Sequence, residues 1–177
     1  MRETVVYIAA SLDGFIAKKD DDISFLDVVD SPGEDYGYSE FNQEVDTVIM
    51  GRRTYEKVLS ISHFPHPDKK TYILTKQALH SEGNIEFYNG DITELIEKIK
   101  ANDGKNIYID GGAEVIGLMM KENLIDHYII SIIPMLLGEG IRLFKEPGII
   151  QRLQLKTVKH FKSGLVQLHY TPLIGWP

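Results

Sequence analysis

Short runs of apolar and β-branched residues recur along the first two thirds of the chain, and polar or glycine-containing segments separate them. Residues 4–10, 47–50, 71–75, 85–88 and 107–109 form such runs. Their lengths and their content of Val, Ile, Thr and Tyr are typical of buried strands. The hydrophobic pattern therefore predicts at least five strands before residue 110.

Helical patterns lie between these strands, over residues 35–44, 52–59 and 113–121 and in the segment that begins at Asp91. In that last segment Asp91 supplies an N-cap, and apolar residues then recur at helical spacing. Strands that alternate with helices predict a parallel sheet covered by helices on both faces.

The last third of the chain has a different pattern. Residues 125–133, 153–161 and 165–170 are strand-like, and Ser163-Gly164 joins the last two into an antiparallel hairpin. The sequence thus predicts a three-layer α/β/α fold with a mixed, mainly parallel sheet and a C-terminal antiparallel hairpin. We expect residues 1–177 to form a single domain, because the length suits one core and the pattern contains neither a repeat nor a linker.

Charge and composition narrow the choice of partners. The formal net charge is -7 and the chain has no local basic stripe, which disfavours nucleic acid. The absence of cysteine excludes thiolate chemistry and suits a reducing cytoplasm. The N-terminus lacks a signal-peptide pattern, and the longest apolar stretch, residues 128–137, is far shorter than the ~20 residues of a membrane helix. We expect a cytoplasmic protein that binds a small molecule and neither nucleic acid nor membrane.

Three strand ends have the composition of phosphate-binding sites. Gly51-Arg52-Arg53-Thr54 opens a helix whose free N–H groups attract anions, and guanidinium groups bind phosphate bidentately. Gly111-Gly112 leaves the backbone open to a diphosphate because neither residue has a Cβ. Thr75-Lys76 offers a hydroxyl and a cation. Each segment alone also suits a simpler interpretation, as a capped surface helix, a glycine turn or an exposed lysine, but several in one small domain favour a nucleotide.

Three longer segments resemble, in order and spacing, the signature blocks of dihydrofolate reductase-like proteins. They are residues 9–17 (Ala-Ala-Ser-Leu-Asp-Gly-Phe-Ile-Ala), 48–55 (Val-Ile-Met-Gly-Arg-Arg-Thr-Tyr) and 109–114 (Ile-Asp-Gly-Gly-Ala-Glu). Residues 11–14, 124–126 and 134–140 are more similar to the reductase domain of the bifunctional riboflavin-biosynthesis deaminase/reductase than to folate enzymes. The resemblance spans nearly the whole chain and implies a dihydrofolate reductase-like fold with NADPH-dependent reductase activity.

The resemblance also implies which residues hold NADPH. The diphosphate, 2′-phosphate, adenosine and ribose would contact Gly51, Arg52, Arg53, Thr54, Thr75, Lys76, Gly111, Gly112, Ala113 and Glu114. The nicotinamide would be lined by Ala10, Ile16 and Ala17. The fold would then hold the nicotinamide C4 against an electrophilic C=N carbon, so that catalysis rests on orientation, proton supply and exclusion of water.

Hydride addition to C=N also requires a proton donor, and a carboxyl with a raised pKa in an apolar cleft could supply it. Asp35 is the candidate by resemblance to folate reductases, with Ser131 as the strand hydroxyl beside it. The alternative for Asp35 is a helix-capping acid. Asp13 is the candidate by resemblance to the riboflavin enzyme, and its alternative is an ordinary Asp-Gly turn. The choice between the two acids stays open at the level of sequence.

The sequence departs from folate enzymes where the substrate binds. Lys69 lies near the position of their carboxylate-binding arginine, and lysine cannot reproduce bidentate recognition. Phe25 is the nearest counterpart of the tryptophan near their substrate pocket. The sequence therefore predicts a reductase of a pyrimidine- or pterin-like C=N substrate, similar to 5-amino-6-(5-phosphoribosylamino)uracil reductase. The alternatives are a dihydrofolate reductase and a nucleotide-binding protein without turnover.

The sequence contains little that points to a metal site or to a particular oligomer. His63 and His66 flank Phe-Pro without a third ligand at suitable spacing, so we expect a solvated proline loop and no metal. A homodimer is expected from the base rate of symmetric assemblies and from the apolar segments 149–150 and 173–176.

Overall fold

The computed structural model describes residues 1–145 and 149–173. Its strands are β1 (Thr4–Ser11), β2 (Phe15–Ala17), β3 (Val45–Gly51), β4 (Lys70–Leu74), β5 (Ile85–Tyr88), β6 (Asn106–Gly111), β7 (His127–Ile133), β8 (Ile141–Arg142), β9 (Leu153–His160) and β10 (Val166–Pro172). Its α-helices are α1 (Tyr38–Gln43), α2 (Arg52–Ile61), α3 (Ile92–Lys100) and α4 (Ala113–Lys121), and a 3₁₀ helix spans Ser24–Val29.

Eight of the strands form one sheet in the order β5-β4-β3-β6-β1-β7-β10-β9. All pairs from β5 to β7 are parallel, whereas β10 runs antiparallel to both β7 and β9. Strands β2 and β8 form a separate antiparallel pair. The predicted mixed, mainly parallel sheet with a C-terminal hairpin is confirmed.

Helices cover both faces of this sheet, as the three-layer prediction requires. On one face lie α3 and α4, whose buried residues belong to the main hydrophobic cluster. Helix α3 begins where Asp91 accepts hydrogen bonds from the N–H groups of Thr93 and Glu94, as its sequence predicts. Helices α1 and α2 and the 3₁₀ helix supply residues to two smaller clusters on the opposite face.

The structure differs from the sequence expectation in its shortest elements. Helix α1 is only six residues long, three residues after the predicted start at Asp35. The 3₁₀ helix, β2 and β8 have two to six residues each, which is too short for a hydrophobic period to develop. Across residues 1–145 and 149–173 no helix has the length and apolar character needed to cross a membrane. Residues 174–176, part of the homodimer argument, lie outside the described residues.

Candidate cofactor and substrate site

The carboxyl ends of β3, β4 and β6 meet at one edge of the sheet, because these three strands are parallel neighbours. Ligands of open α/β sheets bind at this kind of edge. A Cβ added to Gly51 would lie 3.2 Å from Val115 Cγ2 and 3.8 Å from the carbonyl oxygen of Gly111. A Cβ added to Gly112 would lie 3.1 Å from Thr54 Oγ1. The first turns of α2 and α4 therefore lie side by side, and glycine is what allows their close approach.

Side chains at the start of α2 connect this region to its surroundings. Arg52 donates hydrogen bonds to Glu56 and to Gln77, which follows the end of β4. Arg53 forms an ion pair with Asp21 at 2.6 Å, although its side chain is 70% exposed. The structure therefore brings the segments at residues 51–54, 75–77 and 111–114 to the same edge of the sheet.

The remaining members of the predicted cofactor site have mixed environments. Thr75 Oγ1 accepts a hydrogen bond from the N–H of Gln77, and Lys76 is exposed. Glu114 is exposed and pairs with Lys145 at 3.2 Å, whereas Ala113 is buried. Both acidic and basic groups therefore border the pair of turns at residues 51–54 and 111–114, which we call the cradle.

The predicted nicotinamide-lining residues lie at the end of β1 and in β2. Ala10 and Ala17 are buried and Ile16 is half-buried. The guanidinium of Arg142 in β8 lies over the ring of Phe15, 4.6 Å from its centroid. Packing of the β2–β8 pair thus holds this segment against the end of β1.

Asp13 holds two loops together. Its carboxylate accepts hydrogen bonds from Ser11 Oγ at 2.6 Å, from the N–H of Leu137 at 3.1 Å and from the N–H of Gly138 at 2.7 Å. These bonds, with that of Ser11 the strongest influence, lower the pKa of Asp13 to about 2. This geometry favours an ionised carboxylate that anchors the loop after β7 over a proton donor.

Asp35 has the hydrogen bonds of a cap. Its carboxylate accepts hydrogen bonds from the N–H groups of Gly37 and Ser39, each at 2.9 Å, just where α1 begins. The Ser39 side chain and these N–H groups lower the pKa of Asp35, and the residue is exposed. The structure therefore favours the capping interpretation, and the sequence missed this because a cap and an active-site acid have the same local pattern.

A third acid, Asp110, has the opposite environment. It is half-buried at the carboxyl end of β6, directly before Gly111 and on the same side of the strand as Tyr108. Loss of hydration raises the pKa of Asp110, and the nearby Tyr108 hydroxyl and His66 oppose that change. Sequence analysis included Asp110 only as part of the glycine turn. The available signal was a lone acid that ends an otherwise apolar strand.

The hydrogen bonds of Tyr108 bear on the protonation of Asp110. The Tyr108 hydroxyl lies 2.6 Å from Asp110 Oδ1 and 3.1 Å from the carbonyl oxygen of Tyr7. A tyrosine has a single hydroxyl proton. When that proton is donated to the Tyr7 carbonyl, the contact with Asp110 is a hydrogen bond only if the carboxyl carries a proton and donates it. When the proton is donated to Asp110 instead, it stabilises the carboxylate, so the Tyr108 hydroxyl accommodates either form of Asp110, while burial raises the pKa of that carboxyl.

A buried polar cluster adjoins this acid on the same face of the sheet. Gln167 donates hydrogen bonds through Nε2 to Tyr7 Oη at 3.0 Å, to the Tyr36 carbonyl at 3.2 Å and to Ser131 Oγ at 3.2 Å. Ser131 is buried in β7 and does not contact Asp35 through a hydrogen bond in the described residues. The predicted partner of Ser131 is thus replaced by Gln167.

Two further residues lie elsewhere than the resemblance suggests. Phe25 is 2% exposed and packs with Val29, Ile133 and Leu165, so it holds the 3₁₀ helix against the end of β7 inside the core. Lys69 is buried, and its ammonium donates hydrogen bonds to the carbonyls of Asn42 at the C-terminal end of α1 and of Val45 at the start of β3. Lys69 therefore stabilises a helix end and is not available to a substrate carboxylate.

The expected solvated loop around His63 and His66 is wrong for one of the two histidines. His63 is exposed, but His66 is 2% exposed. The pattern of alternating polar and proline residues gave no sign of this burial, which results from packing against β6. Within residues 1–145 and 149–173 no group of three or more histidines and acids is arranged to hold a metal ion.

Together, the three-layer fold and the glycine cradle at the ends of β3 and β6 define a dihydrofolate reductase-type protein. The RibD C-terminal domain model matches residues 58–167, and the chain belongs to that family. It is similar to two uncharacterized proteins of Bacillus subtilis strain 168. YwjB is 46% identical over 171 residues, which cover 96% of this chain and 97% of YwjB, and YyaP is 31% identical with coverage of 96% and 94%.

Solved structures support the same fold. A protein from Shewanella sp. PV-4 assigned to riboflavin biosynthesis matches with a TM-score of 0.88 and 30% identity, covering 97% of this chain and 99% of that one. The diaminohydroxyphosphoribosylaminopyrimidine deaminase/5-amino-6-(5-phosphoribosylamino)uracil reductase of Thermotoga maritima matches with a TM-score of 0.74 at 15% identity. This chain is covered to 97% but spans only 57% of that enzyme.

Proposed function

We propose that this protein is an NADPH-dependent reductase of a small pyrimidine- or pterin-like C=N compound, with 5-amino-6-(5-phosphoribosylamino)uracil or a close analogue as substrate. Membership of the RibD C-terminal domain family supports a reductase. The single observation that carries the proposal is the juxtaposition of a glycine-lined nucleotide cradle with Asp110, which directly precedes one of its glycines.

Two features of the cradle support binding of a dinucleotide there. Gly51 and Gly112 let the two turns approach each other closely, since a Cβ would lie 3.2 Å from Val115 Cγ2 or 3.1 Å from Thr54 Oγ1, and the free N–H groups at the starts of α2 and α4 would bind a diphosphate. Thr54, Gly112 and the first turn of α4 would bind the diphosphate and ribose. Arg53, Thr75 and Lys76 would meet a 2′-phosphate, which distinguishes NADPH from NADH. Ala10, Ile16 and Ala17 would line the nicotinamide.

Bound NADPH supplies a hydride from the nicotinamide C4 and is oxidised to NADP⁺. On the substrate, the C=N π bond breaks as a C–H bond forms at carbon and an N–H bond forms at nitrogen. Asp110 donates the second of these hydrogens as a proton and becomes a carboxylate, which the Tyr108 hydroxyl then stabilises by donating to Oδ1. Asp13 and Asp35 are weaker candidates for this step, because their hydrogen bonds stabilise the ionised form.

The substrate side would be completed by residues near the polar cluster of Ser131 and Gln167, with Phe25 packed behind the end of β7. Dihydrofolate is the alternative substrate. The placement of Lys69 argues against it, since its buried ammonium binds the backbone carbonyls of Asn42 and Val45 and does not match the role of a carboxylate-binding cation. We further propose a cytoplasmic homodimer, on the general grounds given by composition and by the frequency of symmetric assemblies.

The test follows NADPH oxidation with a panel of aminouracil ribosyl phosphates, pterins and dihydrofolate, each with and without protein. We expect efficient turnover of a ribosyl phosphate and a specificity constant for dihydrofolate that is lower by at least about 10²-fold, since unpaired polar groups discriminate strongly. Preferred turnover of dihydrofolate would make the protein a folate enzyme. Tight NADPH binding without hydride transfer to any compound would favour a nucleotide-binding protein.

A further inference from the structure

Arg53, for which the proposed function assigns contact with a 2′-phosphate, is paired with a carboxylate in the structure. Its Nε and Nη2 donate hydrogen bonds to the same oxygen, Oδ2 of Asp21, at 3.0 and 2.6 Å. In the part of the chain that the structure describes, Asp21 is its one hydrogen-bond partner. Arg52 differs, because its partners Glu56 and Gln77 belong to α2 itself and to the segment after β4. The contact of Arg53 therefore comes from a loop outside the cradle.

Asp21 lies in a turn between β2 and the 3₁₀ helix. The N–H of Lys18 donates to the carbonyl of Asp22 at 2.9 Å, and the N–H of Asp21 donates to the carbonyl of Lys18 at 3.2 Å. Lys18 Nζ and the N–H of Ser24 also donate to the Asp22 carboxylate. None of these bonds involves Arg53. The turn is therefore stabilised by its own residues and holds the Asp21 carboxylate against the cradle.

A guanidinium binds a carboxylate and a phosphate through the same N–H groups. A phosphate on the Nε and Nη2 edge of Arg53 must displace Asp21, and a phosphate on the other edge would lie beside the negative charge of Asp21. The Arg53 side chain is 70% exposed, so a ligand can reach it. An exposed ion pair contributes at most about fivefold to an equilibrium constant, so a phosphate with nearly two negative charges can replace the carboxylate.

We propose that Asp21 is a specificity-determining residue of the cofactor site, a counter-ion that competes with the 2′-phosphate for Arg53 and limits the preference for NADPH over NADH. The inference rests on the proposed function for the identity of the ligand. NADH leaves the ion pair intact, whereas NADPH and NADP⁺ break it on binding and allow it to form again on release. Asp21 therefore weakens binding of the phosphorylated cofactor and favours release of NADP⁺ after hydride transfer.

The test measures binding and requires no turnover. Affinities for NADPH and NADH, which differ only in the 2′-phosphate, are measured by calorimetry in the wild type and in Asp21→Asn. Asparagine keeps the shape of the side chain and suits the backbone, since residue 21 has a φ of 60° and Asn adopts this left-handed conformation readily. NADPH affinity should rise by about three- to fivefold, the upper range for an exposed ion pair, and NADH affinity should stay unchanged.

Two further variants isolate the contact with Arg53. Asp20→Asn is the matched control, because Asp20 is exposed in the same turn and the hydrogen bonds of Arg53 go to Asp21 instead. It removes the same charge, so NADPH affinity should change by less than about 1.5-fold at physiological salt, which screens charges that are not in contact. In an Arg53→Ala background, Asp21→Asn should have no larger effect than Asp20→Asn, because the group for which Asp21 competes is gone.

An unchanged or lower NADPH affinity in Asp21→Asn would overturn the inference, since Asp21 would then be neutral or would orient Arg53 for the phosphate. A gain that Asp20→Asn reproduces, or that persists without Arg53, would overturn it as well, because it would reflect general charge repulsion. Failure of the wild type and of every variant to bind NADPH would reject the cofactor site and the inference with it. A selective gain in a protein that reduces no substrate would uphold the inference and reject the reductase, so the two failures can be distinguished.

Discussion

The cofactor cradle and the acid cluster lie next to each other but are built in different ways. The cradle consists of two turns that are each continuous in the chain, at residues 51–54 and 111–114, and glycine at 51 and 112 lets them pack side by side. The acid cluster consists of side chains from distant segments, namely His66, Tyr108 and Asp110. The comparison indicates that binding depends mainly on local backbone shape, whereas proton chemistry depends on burial created by the tertiary fold.

The largest expected effect is in the acid cluster. Asp110→Asn preserves shape but removes the carboxyl proton, so kcat should fall by about 10²–10⁴-fold with little change in NADPH affinity. Steady-state kinetics and a cofactor titration measure the two quantities. Asp13→Asn and Asp35→Asn are the matched controls and should retain most of the wild-type kcat. A collapse of kcat in either control, with Asp110→Asn active, would transfer the proton-donor role to that acid.

The same residue predicts the sign of the pH dependence. Asp110 has a raised pKa and donates in its protonated form, so kcat should be constant at lower pH and fall as pH rises through that pKa. The profile of kcat against pH in the wild type and in Asp110→Glu tests this. A kcat that increases with pH over the same range would indicate that the essential group acts as a base.

The next largest effect is in the cradle. Gly112→Val should abolish measurable NADPH binding, because its Cβ would meet Thr54 Oγ1 at 3.1 Å and its methyl groups would fill the approach of the diphosphate. Gly117→Ala in α4 is the control, since a Cβ there meets nothing within 4 Å. Cofactor titration with circular dichroism for the fold separates the outcomes. A folded Gly112→Val protein with wild-type affinity would exclude this turn from the cofactor site.

A smaller effect is expected at the exposed rim of the cradle. Arg53→Ala should weaken NADPH binding by about tenfold and leave NADH binding nearly unchanged, because the lost group would contact the 2′-phosphate. Lys98→Ala in α3, on the opposite face of the sheet, controls for the change in net charge. Competition titrations with NADPH and NADH provide the ratio of the two affinities in the wild type and in each variant. Equal loss of affinity for NADPH and NADH would show that Arg53 does not recognise the 2′-phosphate.

The smallest effect concerns stability. The pKa of Asp13 is lowered to about 2 from 3.8, so its ionised form stabilises the fold at higher pH, and this contribution disappears as pH falls through that interval. Asp13→Asn should therefore lower the unfolding temperature at pH 7, and the difference from wild type should shrink below about pH 4 and vanish only below about pH 2. The unfolding temperatures of the wild type and of Asp13→Asn are measured over a series of pH values, with Asp103→Asn as the control. A difference that is constant with pH would rule out the ionised carboxylate as its source.

The sequence by itself determined the features that depend on neighbouring residues. The apolar runs that became β1, β3, β4 and β6, the Asp91 cap of α3 and the glycine turns are all local patterns, since strand and cap preferences act over a few residues. That the cradle segments lie side by side was decided by the strand order β4-β3-β6, which local patterns do not specify.

Only the tertiary structure decided which of the candidate acids has a raised pKa. Asp13, Asp35 and Asp110 all stand beside turns or glycine, yet hydrogen bonds lower the pKa of the first two and burial raises that of the third. Likewise, the residues adjacent to His66 and Lys69 in the sequence give no indication that these two side chains are buried. Proton affinity depends on solvent exclusion and on charges from distant segments, which no local pattern specifies.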